Sequence, residues 1–318
     1  MDSNTYDVII IGGGPAGLSA AINAARADLR TLIIEKGIFG GNITLTSEIE
    51  NYPGCFPNES GADFANRMEK QIDTFGVTKI VAEVTEVNFL GFTKQVVCGE
   101  EIYKGMIVII ATGNSPAKLG VLGEEKYTGL GISYCAICDG PFFRDLDIYV
   151  VGGGDTAVEE AVYLSKFAKS VTIIHRREKF RAAKTIVDKA SKVDNISFMF
   201  NTVVKEFGGE DLLTRIVTEN IETNKTTVIE AREGESLGCF LFVGMIPNTK
   251  IFDGDINMEN GYITTDEEMR TNMPGVFAAG DVRKKTLRQV VTATSDGAIA
   301  AYEAEKIITE YDRRKEME

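Results

Sequence analysis

The sequence predicts an α/β protein assembled from two copies of one strand–glycine turn–helix–strand unit, the second inserted into the chain that builds the first. Three observations support this. A triple-glycine turn between apolar strands occurs near the N-terminus and again mid-chain. Strand-like runs that complete the first unit reappear only towards the C-terminus. And 318 residues exceed a typical single domain, so two domains are expected.

In the first copy, Tyr6-Asp7-Val8-Ile9-Ile10-Ile11 reads as a buried strand that runs into Gly12-Gly13-Gly14-Pro15-Ala16-Gly17. An Ala-rich helical stretch covers 18–27, and Thr31-Leu32-Ile33-Ile34 forms a second strand ending on Glu35 and Lys36. Gly12 and Gly14 let the backbone turn tightly and approach a pyrophosphate. Gly17 allows close helix–strand packing, the helix N-terminus faces the negative charge, and Pro15 and Ala16 complete the cofactor-binding turn. Glu35 stands where a carboxylate accepts hydrogen bonds from an adenosine ribose. This is a Rossmann-like dinucleotide-binding unit.

The second copy starts with Ile148-Tyr149-Val150-Val151 and Gly152-Gly153-Gly154-Asp155-Thr156-Ala157. A helix-compatible run covers 158–167, and Val171-Thr172-Ile173-Ile174 follows. At the place of Glu35 stands His175, with Arg176, Arg177 and Arg181 after it. An acid suits two free ribose hydroxyls, whereas a 2′-phosphate repels an acid and favours the planar fork of arginine. The first turn therefore suits the ADP half of FAD, and the second suits NADPH. The bland alternative for the arginines is a solvated basic helix start. For His175 it is a strand-end residue without catalytic duty. As the only histidine, His175 leaves no Ser–His or Cys–His nucleophile pair and no His-ligated metal centre.

Other segments suit a flavin. Ile107-Val108-Ile109-Ile110 leads into Ala111-Thr112-Gly113, and Val276-Phe277-Ala278-Ala279 leads into Gly280-Asp281. A carboxylate on such a strand-end turn, Asp281, can hold ribityl hydroxyls. Arg288, Gln289 and Val290 open a final helix that can face the pyrimidine ring, and Gly41, Asn42, Thr46 and Asn51 lie in a polar stretch suited to wrapping a cofactor. Each alone is also compatible with an ordinary turn. The resulting plan is an FAD domain formed by 1–114 and 245–318, and an NADPH domain, 115–244, inserted between them. Asn114-Ser115-Pro116 and Pro247-Asn248 serve as crossings, and together they make a two-strand hinge able to rotate one domain against the other.

A formal charge of −13 argues against nucleic acid or anionic membrane as the main partner. No secretory signal is visible, and no apolar run approaches the roughly 20 residues that span a bilayer. A cytoplasmic location is expected. There, five cysteines are not a disulfide scaffold. Cys55, Cys98 and Cys239 are isolated and read as small buried or half-buried side chains. Cys135-Ala136-Ile137-Cys138-Asp139 holds the only Cys-x-x-Cys pair. Half a zinc site would need a second pair that does not exist. Two inert thiols are another possibility, and a redox dithiol is the third. With both cofactor sites predicted independently, the dithiol is favoured, and Asp139 is the nearest acid able to move a proton.

End to end, the chain resembles the low-molecular-weight bacterial thioredoxin reductases, class II pyridine nucleotide-disulfide oxidoreductases. The resemblance rests on Gly12 to Gly17, Glu50-Asn51-Tyr52-Pro53-Gly54, Ala111-Thr112-Gly113, Cys135 to Asp139, Gly152 to Ala157, and His175-Arg176-Arg177 with Arg181. Ile246-Pro247-Asn248, Gly280-Asp281 and Arg288-Gln289-Val290 extend it. It implies a homodimer with one FAD per subunit, Cys138 facing the flavin and Cys135 attacking the disulfide of thioredoxin or a similar small protein. It also implies an NADPH domain that alternates between two orientations. Asn42 stands where glutamine is usual, and Ala136-Ile137 where Ala-Thr is more common. A ferredoxin-linked relative would lack the second glycine turn and its arginines, and a nucleotide-binding sensor would not need two complete sites and a paired thiol.

Overall fold

In a computed structural model, the described residues are 4–46, 49 and 51–317. The chain divides into two compact units, Met1–Ser115 with Ile246–Glu318, and Pro116–Met245. The α/β class with an inserted second unit is as expected.

The terminal unit is organised by strand Thr5–Ile11, flanked in parallel by Thr31–Glu35 and Glu101–Ile110. Within these strands 8–11, 32–34 and 107–110 are unbroken aliphatic runs because both sheet faces are covered there, which leaves no solvent side for polar alternation. Val8, Ile9, Ile10 and Ile107 to Ile110 are all fully buried, and each such side chain stabilises by about 1.5–3 kcal/mol. One face packs on helix Pro15–Arg26 and on the final helix, Val290–Met317. The two helices meet backbone to backbone at Gly297, where a Cβ would lie 2.1 Å from the Ala16 carbonyl oxygen. Ser19 Oγ locks the contact by donating to Thr294 O at 2.7 Å.

Strand Glu101–Ile110 does two jobs. Its first half pairs antiparallel with Lys94–Cys98, while its last residues pair in parallel with Val276–Ala278. The register sets Ile11 and Ala278 both opposite Ile110. The turns after Ile11, Ile110 and Ala278 therefore leave the sheet at one edge, the carboxyl end of its parallel strands, where ligands of open α/β sheets bind.

The inserted unit repeats the plan with a five-stranded parallel sheet, in the order Ile196–Met199, Ser170–Ile174, Asp147–Gly152, Leu237–Phe242, Ile132–Ser133. A three-stranded antiparallel meander, Thr202–Gly208, Arg215–Asn220 and Thr226–Glu230, accompanies it. Where the chain passes between units, Asn114–Pro116 pairs with Met245–Pro247 as a short ribbon.

Three helix boundaries differ from expectation. The first helix starts at Pro15, since Pro is tolerated in a first turn whose N–H has no partner anyway. The helix of the second copy spans Asp155–Leu164, ending three residues before 167. The final helix starts at Val290, leaving Arg288 and Gln289 in its approach. There Thr292 Oγ1 accepts from Gln289 N at 3.2 Å. Among the described residues no helix is long and apolar enough to cross a membrane.

Candidate functional site

The first glycine turn separates glycines that the fold needs from one that it does not. Gly12 has φ +109°, and a Cβ there would lie 2.3 Å from Ala111 O; at Gly17 it would lie 1.9 Å from Gly12 O. At Gly14 the nearest atom would be 4.0 Å away. Gly14 therefore faces open space at the N-terminus of a helix whose first turn carries neither a side-chain cap nor an acid. Such an end has unsatisfied N–H groups and a partial positive charge, the setting an anion occupies.

Glu35 closes this turn from behind. Its Oε2 accepts from Gly13 N at 2.6 Å and its Oε1 from Gly37 N at 2.9 Å, so the carboxylate at the strand tip also shapes the glycine turn. Lys36 is exposed beside it. Gly40 N donates to Gly13 O at 2.7 Å and lays the helical turn Gly41–Leu45 over the loop. From it Asn42 Nδ2 reaches both Asn114 O and Asn114 Oδ1 at 2.9 Å. Thr46 is exposed, and its carbonyl accepts from Gly61 N at 2.9 Å. Ala111 N donates to Ile11 O at 2.8 Å. Thr112 and Asn248 exchange hydrogen bonds of 2.7 and 2.9 Å, and Asn248 N donates to Gly113 O at 3.0 Å. Asn51 and Gln289, far apart in sequence, meet through a 2.6 Å hydrogen bond.

The third turn holds an anomaly. Asp281 Oδ1 is buried and has no hydrogen-bond partner, a costly state for a carboxylate that nothing joins. Burial pushes its carboxyl up, against the pull of Lys285 and Arg288. Behind it lies Asp296, which the sequence reading missed. This buried acid of the final helix accepts from Gly280 N at 2.9 Å and pairs with Arg283 at 2.8 Å and Lys285 at 2.7 Å. The available signal was an acid in an otherwise small and apolar helical stretch.

In the inserted unit, a Cβ at Gly152 would lie 2.6 Å from both Ala157 Cβ and Phe242 O, and one at Gly154 would meet nothing within 4 Å. Gly154 again caps the helix N-terminus without a side-chain bond. Thr156 is exposed and Ala157 buried. Asp155 Oδ1 accepts from Ala183 N at 2.7 Å, and Arg181 N donates to Gly153 O at 2.7 Å. Both bonds hold the arginine segment against the glycine turn. Arg176, Arg177 and Arg181 are exposed, and none forms an ion pair among the described residues. His175 is buried, its ring so close to Gly153 that a Cβ there would lie 2.2 Å from it. Its Nε2 lies 3.1 Å from Lys179 O, and burial lowers the imidazole below its ordinary range. It shapes the turn from inside.

Cys135 follows strand Ile132–Ser133, is half-buried and is disulfide-bonded; Cys55, Cys98 and Cys239 are free. Ser133 Oγ accepts from Cys135 N at 2.9 Å and donates to Cys135 O at 3.1 Å. Tyr134 OH donates to buried Glu124 at 2.7 Å, and burial together with this carboxylate pushes the phenol up to about 12. Asp139 ends the short helix Ala136–Asp139, its N–H donating to Cys135 O at 3.2 Å. The Cys138 side chain and all of Glu50 lie outside the described residues.

Residues 6–297 match the family model for pyridine nucleotide-disulphide oxidoreductases. The chain belongs to this family. It is 48% identical to a thioredoxin reductase of Peptoclostridium litorale, covering 96% of this chain and 98% of that protein. Against the thioredoxin reductase of Listeria monocytogenes it is 45% identical, covering 100% and 98%. The crystal structure of Lactococcus lactis thioredoxin reductase in its FR conformation superposes with a TM-score of 0.89 at 43% identity, covering 96% of this chain and 99% of that one. For a pyridine nucleotide-disulphide oxidoreductase, two open glycine turns and a disulfide at Cys135 supply the required kinds of group.

Proposed function

We propose that the chain is an NADPH-dependent thioredoxin-disulfide reductase that uses FAD. One observation carries the flavin half: the buried, partnerless Oδ1 of Asp281 stands at the sheet edge that also presents Gly14 and a bare helix N-terminus. A polyol supplies hydroxyl donors to the first and a pyrophosphate suits the second. Gly12, Gly14, Pro15, Ala16 and Gly17 would hold the pyrophosphate, with Glu35 and Lys36 at the adenosine end. Gly41, Asn42, Thr46 and Asn51 would wrap the cofactor, together with Ala111, Thr112 and Gly113. Gly280 and Asp281 would take the ribityl chain, and Arg288, Gln289 and Val290 the pyrimidine edge.

In the inserted unit, Gly152, Gly154, Asp155, Thr156 and Ala157 would receive the NADPH pyrophosphate, supported by His175. Arg176, Arg177 and Arg181, exposed and without an ion pair among the described residues, would read the 2′-phosphate; a ferredoxin-linked enzyme has no use for them. Bound FAD would relay an electron pair from NADPH to the cysteine pair. Reduced Cys135 would then attack the thioredoxin disulfide, forming a mixed disulfide and releasing one thioredoxin thiolate. Cys138 would resolve it, restoring the internal disulfide and releasing the second thiolate. Asp139 would move the proton. Rotation about the two crossings, a homodimeric state and a cytoplasmic location complete the proposal, with domains 1–114, 115–244 and 245–318.

The test is a Cys135→Ser variant. It should still bleach its flavin with NADPH but reduce thioredoxin at under about 1% of the wild-type rate, as expected when the attacking nucleophile is lost. Thioredoxin turnover by that variant near the wild-type rate would refute the route.

A further inference from the structure

Asp281 sits among three cations and pairs with none of them. Arg283 and Lys285, with side chains 11% exposed, both bind the same oxygen of Asp296. Arg283 Nε also donates to Thr265 Oγ1 at 2.7 Å. Arg288 lies over the Tyr262 ring, 4.0 Å from its centroid, and points its other N–H groups at the carbonyls of Asp281 and Arg283. A buried carboxylate near an uncommitted ammonium forms an ion pair with it, because an unpaired buried charge is costly. Here Asp296 has already engaged Arg283 and Lys285, and the buried Oδ1 of Asp281 stays vacant.

We infer that Asp296 is a positioning residue that holds Arg283 and Lys285 away from Asp281, keeping the Asp281 carboxylate available to hydroxyl donors of a polyol chain. The inference rests on the flavin reading above, in which that chain is the ribityl group. Asp296 has a second hold on the same turn through Gly280 N, 2.9 Å from its Oδ2. Gly280 has φ +80°, and a Cβ on it would lie 2.8 Å from Ala16 Cβ, so the turn has little room to shift. The freedom that remains belongs to the cations. Lysine carries its charge on a flexible four-carbon stem, and Lys285 is already close enough to pull on the Asp281 carboxyl. Released from Asp296, it would fill the vacancy, and a ligand hydroxyl would have to displace an ion pair.

The experiment measures FAD dissociation constants of cofactor-stripped protein by flavin fluorescence, with the melting temperature of each stripped variant recorded separately. Asp296→Asn should weaken FAD about tenfold or more, in line with the loss of a hydrogen bond to a charged group. The double variant Lys285→Met/Asp296→Asn should recover most of that loss, because the competing cation is gone. Lys285→Met alone leaves the other Asp296 bonds in place and should bind FAD within about twofold of wild type. A double variant as weak as Asp296→Asn would overturn the inference, since Asp296 would then act only through the backbone. A loss of about tenfold in Lys285→Met alone would also overturn it, by showing that Lys285 holds the cofactor itself; this decides the matter even if Asp296→Asn does not fold. Stripped wild-type protein that takes up no FAD would overturn the flavin reading and this inference together, a result distinguishable from the other two.

Discussion

Gly154→Ala separates a glycine kept for a ligand from one kept for the fold. Gly154 has φ −92° and ψ 177°, extended backbone open to any residue, and an added Cβ meets no atom within 4 Å. The folded state should therefore accept alanine without strain, while the unfolded chain loses freedom worth about 0.4–1 kcal/mol. The melting temperature should stay level or rise by about 1–4 °C for a chain of this size. A pyrophosphate lying on the turn would instead meet the methyl group. Overpacking of that kind costs about 1–3 kcal/mol, a loss of roughly five- to 140-fold in affinity. Gly152→Ala is the control, because its Cβ would lie 2.6 Å from Ala157 Cβ and Phe242 O; it should lower the melting temperature. Calorimetric titration with NADP⁺, which binds without turnover, and scanning calorimetry measure both quantities. Wild-type NADP⁺ affinity in Gly154→Ala, or a fall in its melting temperature, would refute the reasoning.

Two further outcomes are expected. Replacing Arg176 and Arg181 together by alanine should weaken NADP⁺ by about 2–4 kcal/mol and leave NAD⁺ unchanged, since each charged hydrogen bond contributes about 1.5–3 kcal/mol and exposure reduces it; equal weakening of both nucleotides in competition titrations would show the arginines are not reading the phosphate. Glu160, half-buried on the helix beside Glu159, has its carboxyl pushed up to about 7 by burial and then by that neighbour. From about pH 4.5 to 7 the unfolded chain ionises this group while the folded one does not, so its contribution to stability falls as pH rises through that window. Glu160→Gln should accordingly gain about 1–2 kcal/mol at pH 8, after allowance for partial exposure, and nothing at pH 4; an equal gain at both values in urea titrations would remove the ionisation argument.

What could be read in the sequence was whatever a local rule dictates. Ile107 to Ile110 announce a doubly covered strand because burial on both faces removes every polar position. Gly12 and Gly152 announce turns because the chain must bend there at once. The polar details were harder, since a single side chain has many possible partners and packing chooses among them. Glu35 was legible as a strand-tip acid, but its bonds to Gly13 and Gly37 depend on how the turn curls back. Asp155 was read as a turn residue, whereas its carboxylate holds Ala183 across the arginine segment. Equivalence to Glu35 in the repeated unit put His175 at a strand end without saying that its ring would be buried on Gly153. Asp296 gave no motif at all: its partners Gly280, Arg283 and Lys285 are assembled by the pairing of Val276–Ala278 with Glu101–Ile110. The helix starts at Pro15 and Asp155 show the same limit, because capping by a bare glycine leaves no polar signature.

The most direct measurement is an anaerobic stopped-flow comparison of NADPH, NADH and reduced ferredoxin as electron donors to the purified protein, with oxidised thioredoxin as acceptor. NADPH should bleach the flavin absorbance far faster than NADH or ferredoxin, and adding thioredoxin should restore the absorbance as its disulfide is reduced through Cys135. Bleaching by reduced ferredoxin with no response to NADPH, or an absorbance that thioredoxin fails to restore, would contradict the proposed electron route.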